Sequence, residues 1–324
     1  NLKNEFGEIH GIIGGPPCQG FSTIGKRDKN DPRNSLFKEF VRFIKIIQPR
    51  FFLMENVRGL LSTKDNFNRP IIEIIINKLE GLDYKINFKL LRAANYGVPQ
   101  LRDRLVILGS KDKKLNFPDT THDEFGNKQE WVTILEAIGN LPKLDNENKG
   151  EEILEVSIKP VTNYQKYLSE DNNLQRLFNH QIDSQRQIDL ERGKYIPEGR
   201  YLRTTKSGLN NDIFPEKRLY MNEGSCKQQK YCRLDRFLPS MTVLTDWYTM
   251  RQKIHPTQNR PFLVREVARL QSFPDNFIFL GKINDKYKQI GNAVPVLLAK
   301  VLADKIMKDL YLFQEKRMVC VLNN

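Results

Sequence analysis

A chain of 324 residues, 39% of them apolar, can bury a full hydrophobic core, which excludes a disordered or collagen-like protein. Lysine and arginine (52) outnumber aspartate and glutamate (39), and the resulting net charge of +13 favours a polyanionic partner. The richest apolar stretch, 71–79, is broken by Glu73, Asn77 and Lys78, so no segment reads as a membrane span. No basic stretch followed by an apolar one opens the chain as a secretory signal, and a cytoplasmic protein is expected. Four cysteines, Cys18, Cys226, Cys232 and Cys320, are too few to staple a chain of this length and include no C-x-x-C pair, so no metal site is expected.

In chain order, residues 10–14 form a short apolar run that stops at Gly-Gly-Pro-Pro, the pattern of a buried strand ending in a loop. Asp31 or Asn34 can cap a following helix, on which Leu36, Phe37, Phe40, Val41, Phe43, Ile44 and Ile47 cover a wide face until Pro49. Residues 51–54 read as a second strand. Pro70 opens another helix, rich in isoleucine, which Gly81 stops, and 84–91 and 105–108 read as further strands. Strands alternating with helices predict an α/β domain with a largely parallel sheet. Residues 111–232 are polar, with few long apolar periods, and their 174–232 portion is basic. Helical patterning returns over 260–280 and 295–311, which implies that the chain comes back to its first domain. The expected organisation is 1–110 catalytic, 111–232 separate, and 233–324 completing the catalytic domain.

Three short segments carry the chemistry. Gly14-Gly15-Pro16-Pro17-Cys18-Gln19-Gly20-Phe21-Ser22 follows a strand, and a cysteine on so restricted a loop can act as a nucleophile where nearby amides or cations favour thiolate. Met54-Glu55-Asn56-Val57 sets a carboxylate at the end of the second strand, where open α/β sheets bind ligands. Gln100-Leu101-Arg102-Asp103-Arg104 brings two arginines whose spacing of two predicts that both face one pocket.

In this order, the segments resemble the cytosine-C5 DNA methyltransferases: the Pro-Cys loop, the ENV motif at Glu55 and the Q-x-R-x-R motif at Gln100. Pro239–Thr242, Arg265–Pro274 and Gly291–Pro295 resemble the family's later blocks. The resemblance implies a Rossmann-like fold that uses S-adenosylmethionine, with a smaller target recognition domain at 111–232. It implies that Cys18 adds to C6 of a flipped-out cytosine, that Glu55 hydrogen-bonds N3 and the exocyclic amine, that Arg104, helped by Arg102, binds O2, and that Thr242 steadies the loop. Asn292, Ala293, Val294 and Leu36 are the implied cofactor contacts. Duplex DNA is the implied partner, touched by Gln19 and Ser22 of the loop. Arg186, Arg192, Lys194, Arg200, Arg203 and Lys206 are further candidates, since arginine pairs bidentately with guanine and lysine favours phosphate.

The family's opening blocks, a Phe-x-Gly-x-Gly-Gly loop and two acidic residues for the cofactor, are not found before His10. The sheet is therefore expected to be incomplete at its N-terminal strands, and a complementary N-terminal segment or subunit is expected as a partner. Besides a DNA methyltransferase of a restriction-modification system, two other readings stay open. One is a catalytically incomplete DNA-binding fragment or subunit of a split enzyme, and the other a transfer-RNA cytosine-C5 methyltransferase.

Overall fold

The computed structural model describes residues 7, 9–16, 36–65, 67–144, 150–169, 174–182, 186–200, 231–250 and 252–322, except the side chains of 151, 174, 187, 188 and 311–322. Its elements are β1 (Gly11–Gly14), α1 (Phe37–Ile47), β2 (Phe51–Val57), α2 (Ile71–Glu80), β3 (Lys85–Arg92), β4 (Gln100–Leu101), β5 (Asp103–Ser110), β6 (His122–Asp123), β7 (Gln129–Glu130), α3 (Ile134–Ile138), β8 (Gly150–Ile158), α4 (Asn163–Leu168), β9 (Leu174–Gln181), α5 (Gln187–Lys194), β10 (Cys232–Arg233), β11 (Ser240–Met241), β12 (Lys253–Ile254), α6 (Val264–Leu270), α7 (Ile283–Asn292) and α8 (Val296–Leu322). Among the described residues, no helix is long and apolar enough to cross a membrane.

Two compact units partition the chain. The first takes residues 1–92, 103–119 and 301–324, and the second 93–102 and 120–300. In the first, the strands run β1-β2-β5-β3. Only β1 and β2 pair in parallel, because β5 runs antiparallel to both β2 and β3. The expectation of a largely parallel sheet is corrected here: the described sheet is mixed, within an α/β fold. Phe52, Met54, Leu105 and Ile107 alternate along β2 and β5 and bury one face of the sheet. Phe37, Phe40 and Ile44 of α1 and Ile71, Ile72, Ile75 and Leu79 of α2 join the same core. Each such side chain contributes about 1.5–3 kcal/mol by leaving water. Helix α1 ends where Gln48 takes a left-handed conformation (φ 51°) just before Pro49, and α2 starts after Pro70 and stops at Gly81, as their sequence signals predict.

The second unit centres on a core built from α3, α4, β9, α6 and α7, with Trp247 and Phe262 among its largest members. Thr133 and Thr162 cap α3 and α4 through reciprocal bonds with Glu136 and Gln165. Every residue of α6 is buried. These units differ from the expected segments 1–110, 111–232 and 233–324. Ile134, Leu168 and Leu177 share one core with Val243, Trp247 and Val267, so residues on both sides of 232 pack together up to 300.

Candidate active site

In the first unit, β1, β2 and β3 end on the same side of the sheet, which is where β5 begins. Asn56, in β2, donates its side-chain amide to the carbonyl of Pro16, 3.1 Å away, and accepts from the amide of Val57. That bond ties the end of β1, and the start of the Pro-Cys loop, to the ENV motif. Glu55 lies on the opposite face of β2 from the buried Phe52 and Met54. Arg104 stands opposite Val57 in the ladder, diagonal to Glu55, and its Nε reaches Glu55 Oε1 at 2.6 Å. The pair is partly accessible, with side chains 13% and 19% exposed. Burial lowers the pKa of Arg104 from its ordinary value, and the neighbouring Glu55 and Asp103 oppose that shift. Gly15 lets the backbone pass close by: a Cβ there would sit 3.2 Å from Glu55 Oε2.

Arg102 does not share this arrangement. It falls between β4 and β5, where strand alternation is interrupted, and belongs to the second unit. Its guanidinium is buried and donates to the carbonyls of Val243, Gly291 and Ala293 at 2.9, 2.9 and 3.1 Å. The expectation that Arg102 and Arg104 face one pocket is corrected accordingly: Arg102 braces the second unit through these carbonyls, and Arg104 meets Glu55 within the first. Gln100 makes a similar brace, donating to the Leu270 carbonyl and Gln271 Oε1 and accepting from the Val243 amide. Thr242 spends its hydroxyl on the Leu101 carbonyl at 2.9 Å.

Cys18, Gln19, Ser22, Arg203 and Lys206 lie outside the described residues. Of the implied cofactor contacts, Leu36 sits at the start of α1, half-buried. Asn292 is exposed at the end of α7, beside the half-buried Ala293 and Val294. An exposed amide next to two aliphatic side chains fits part of an amphipathic sulfonium nucleoside. The Ala293 carbonyl is already engaged by Arg102 and Gln271, which leaves side chains and remaining backbone to make such contacts. Among the described residues, no group of three or more His, Cys, Asp or Glu could hold a metal ion.

Of the basic candidates, Arg186 is fixed on both oxygens of the buried Asp189, Arg192 donates to the hydroxyl of Tyr231, and Lys194 pairs with Glu191 at 2.8 Å. The carbonyl of Arg200 accepts from the amide of Arg233. Arg58 and Arg92, which no sequence motif flagged, both reach Asp103. Arg58 follows the ENV motif directly and Arg92 ends an apolar strand, and those were the available signals.

The model of the C-5 cytosine-specific DNA methylases matches residues 1–308. The chain belongs to this family. Its relatives in the family include the Type II methyltransferase M.DdeI of Desulfomicrobium norvegicum, 38% identical over 94% of this chain and 74% of that protein. Another is M1.HphI of Haemophilus parahaemolyticus, 40% identical over 92% of this chain and 68% of that one. Among solved structures, a prophage-encoded DNA modification methyltransferase from E. coli superposes with a TM-score of 0.67 at 26% identity, covering 96% of this chain and 82% of its own. The protein is thus an enzyme of the DNA (cytosine-5-)-methyltransferase family, with the mixed α/β sheet of that fold.

Proposed function

We propose that the protein methylates C5 of a flipped-out cytosine in a specific duplex DNA site, as the modification enzyme of a Type II restriction-modification system in the cytoplasm. The Glu55–Arg104 pair carries this reading: a carboxylate and a guanidinium 2.6 Å apart, at the strand ends next to Pro16, suit the hydrogen-bonding edge of one pyrimidine. Cytosine C5 is a poor nucleophile. The Cys18 thiolate adds to C6, the Sγ–C6 bond forms, and the ring electrons move toward C5 and N3. Glu55 holds a proton at N3 and accepts from the exocyclic amine, which stabilises the adduct. Arg104 donates to O2, where negative charge grows. S-adenosylmethionine, when bound, supplies the electrophilic methyl group for C5. Loss of the C5 proton then returns the Sγ–C6 electrons to Cys18 and frees the enzyme. Asn292, Ala293, Val294 and Leu36 are the residues that would hold the cofactor. Sequence reading falls to the basic part of 111–232, through Arg186, Arg192, Lys194, Arg200, Arg203 and Lys206.

Duplex DNA carrying 5-fluorocytosine, which cannot lose its C5 substituent as a proton, tests the chemistry. With S-adenosylmethionine, the chain, alone or complemented with the N-terminal segment of a relative, is expected to form a denaturation-resistant adduct that Cys18→Ser abolishes. An adduct that survives Cys18→Ser removes the assigned nucleophile. Tight DNA binding without any methyl transfer, with or without the added segment, leaves a binding module in place of an enzyme.

A further inference from the structure

The block Arg265–Pro274 has no part in the chemistry above, yet two of its residues hold the loop to which cofactor contacts are assigned. Gln271 and Ser272 follow α6 and are wholly buried. The Gln271 side chain donates to the carbonyls of Ile290 at 2.8 Å and Ala293 at 3.2 Å, where α7 ends, and accepts from Gln100 Nε2. Where α8 starts, the Gln271 backbone carbonyl accepts from the amide of Val296 at 3.1 Å, and Ser272 Oγ accepts from the amide of Leu297 at 2.9 Å. Two consecutive residues thus take up the last carbonyls of one helix and the first amides of the next, groups that a helix end leaves without partners of its own. Gly291–Pro295 runs between these anchors.

Ser272 makes its bond from a left-handed conformation (φ 57°), in which glycine would be unstrained but would bring no hydroxyl. The inward side of the loop is closed as well: a Cβ on Gly291 would sit 2.7–2.9 Å from the backbone of Leu244 and Thr245, and Arg102 donates to the Gly291 and Ala293 carbonyls. What the loop turns outward is Asn292, exposed, beside the half-buried Val294. A loop already ordered in the free protein does not pay its ordering cost when a ligand arrives. We propose that Gln271 and Ser272 are positioning residues for S-adenosylmethionine, fixing 291–295 so that Asn292 and Val294 meet the cofactor without rearrangement. The inference rests on the reading of Asn292, Ala293 and Val294 as cofactor contacts.

The test is calorimetric binding of S-adenosylmethionine to the full chain, alone or complemented with the N-terminal segment of a relative, with affinity for mixed-sequence duplex DNA and melting temperature measured in parallel. Ser272→Gly keeps the backbone conformation and removes only the hydroxyl. It is expected to weaken cofactor binding roughly five-fold, about the worth of one hydrogen bond, with DNA affinity unchanged and the melting temperature close to wild type. Gln271→Met, similar in length but without donors or acceptor, is expected to weaken cofactor binding more, to raise KM for S-adenosylmethionine and to leave kcat at saturation nearly as it was. Thr162→Ala, which breaks the cap of α4 in the same unit, is expected to lower the melting temperature and leave cofactor affinity alone. Equal cofactor affinity in wild type and both site variants overturns the positioning role while leaving the cofactor contacts in place. So does an equal loss in Thr162→Ala, which would reduce the effect to stability, or a parallel loss of DNA binding in Ser272→Gly. A wild type that binds DNA but no S-adenosylmethionine, with or without the added segment, overturns the assigned contacts as well.

Discussion

Arginine–carboxylate pairs of two contrasting kinds occur among the described residues. At the sheet end of the first unit, Arg104 meets one oxygen of Glu55, and both side chains remain partly accessible. In and around α6 of the second unit, Arg269 grips both oxygens of Asp275 with each side chain about 1% exposed, and it also donates to the Ala137 carbonyl and Asn140 Oδ1. Arg260 does the same to Glu266, and Arg265 donates to three backbone carbonyls. The buried pairs use up their hydrogen-bonding capacity inside the fold. The sheet-end pair stays partly open to solvent. Both belong to motifs that carry the family resemblance, so a motif residue marks chemistry only where its donors and acceptors are not already consumed by the scaffold.

Substitution separates the two most sharply. Glu55→Gln keeps the size of the side chain and its hydrogen bonding but removes the proton-holding carboxylate. Methyl transfer is expected to fall by roughly 10²–10⁴-fold, the usual contribution of a positioned general acid, while the melting temperature barely moves. Activity within ten-fold of wild type would strip Glu55 of its role.

Arg269→Met reverses the pattern. It leaves Asp275 charged and buried without its partner, and breaking such a pair costs about 3–5 kcal/mol. Thermal unfolding is expected at markedly lower temperature, with activity per folded molecule retained below the transition. If stability is unchanged and turnover alone collapses, α6 is part of the chemistry and the contrast between the two regions fails.

Much of the first unit is legible in the sequence because local signals and burial agree there. The isoleucines of 71–76, opened by Pro70 and stopped by Gly81, form the predicted helix, and the apolar run at 51–54 is a strand that continues through Glu55 to Val57. Strand direction was not legible. An apolar run says that a strand is buried, not which way it runs, and β5 enters the sheet reversed after the excursion of residues 93–102 into the second unit. That same excursion defeats the spacing argument for Arg102, since residues two apart share a face only along an unbroken strand. The boundary expected at 232 had a similar weakness. Polar composition describes the surface of 111–232, whereas Leu168 and Leu177 are placed by the core they share with Trp247 and Phe262. At the sheet end, motif order singled out Glu55 and Arg104, whereas Arg58 and Arg92 carry no motif and are brought to Asp103 by the pairing of the strands they end or follow.

Acid sharpens the comparison from the buried side. His255 is packed among Glu266, Arg260, Arg233 and His180, and accepts at Nδ1 from the amides of Thr257 and Gln258. Burial, only partly opposed by Glu266, pushes its pKa down to about 4 from an ordinary 6.5, so at neutral pH it is neutral and the charge partner of Glu266 is Arg260. Burial alone would raise Glu266, but Arg260 and His255 overcome it and hold that carboxyl at about 2. In the His255 case the unfolded chain binds its proton first, so stability is full above about pH 6.5 and is lost as pH falls toward 4. Glu266, protonating earlier in the unfolded chain, extends the loss from about 4.5 toward 2. Melting temperature is expected to decline from just below pH 6.5, and His255→Gln to flatten the part between 6.5 and 4 while leaving the lower part. An unchanged profile in that variant would move the proton uptake to another group, with His180, also lowered by burial, the next to substitute.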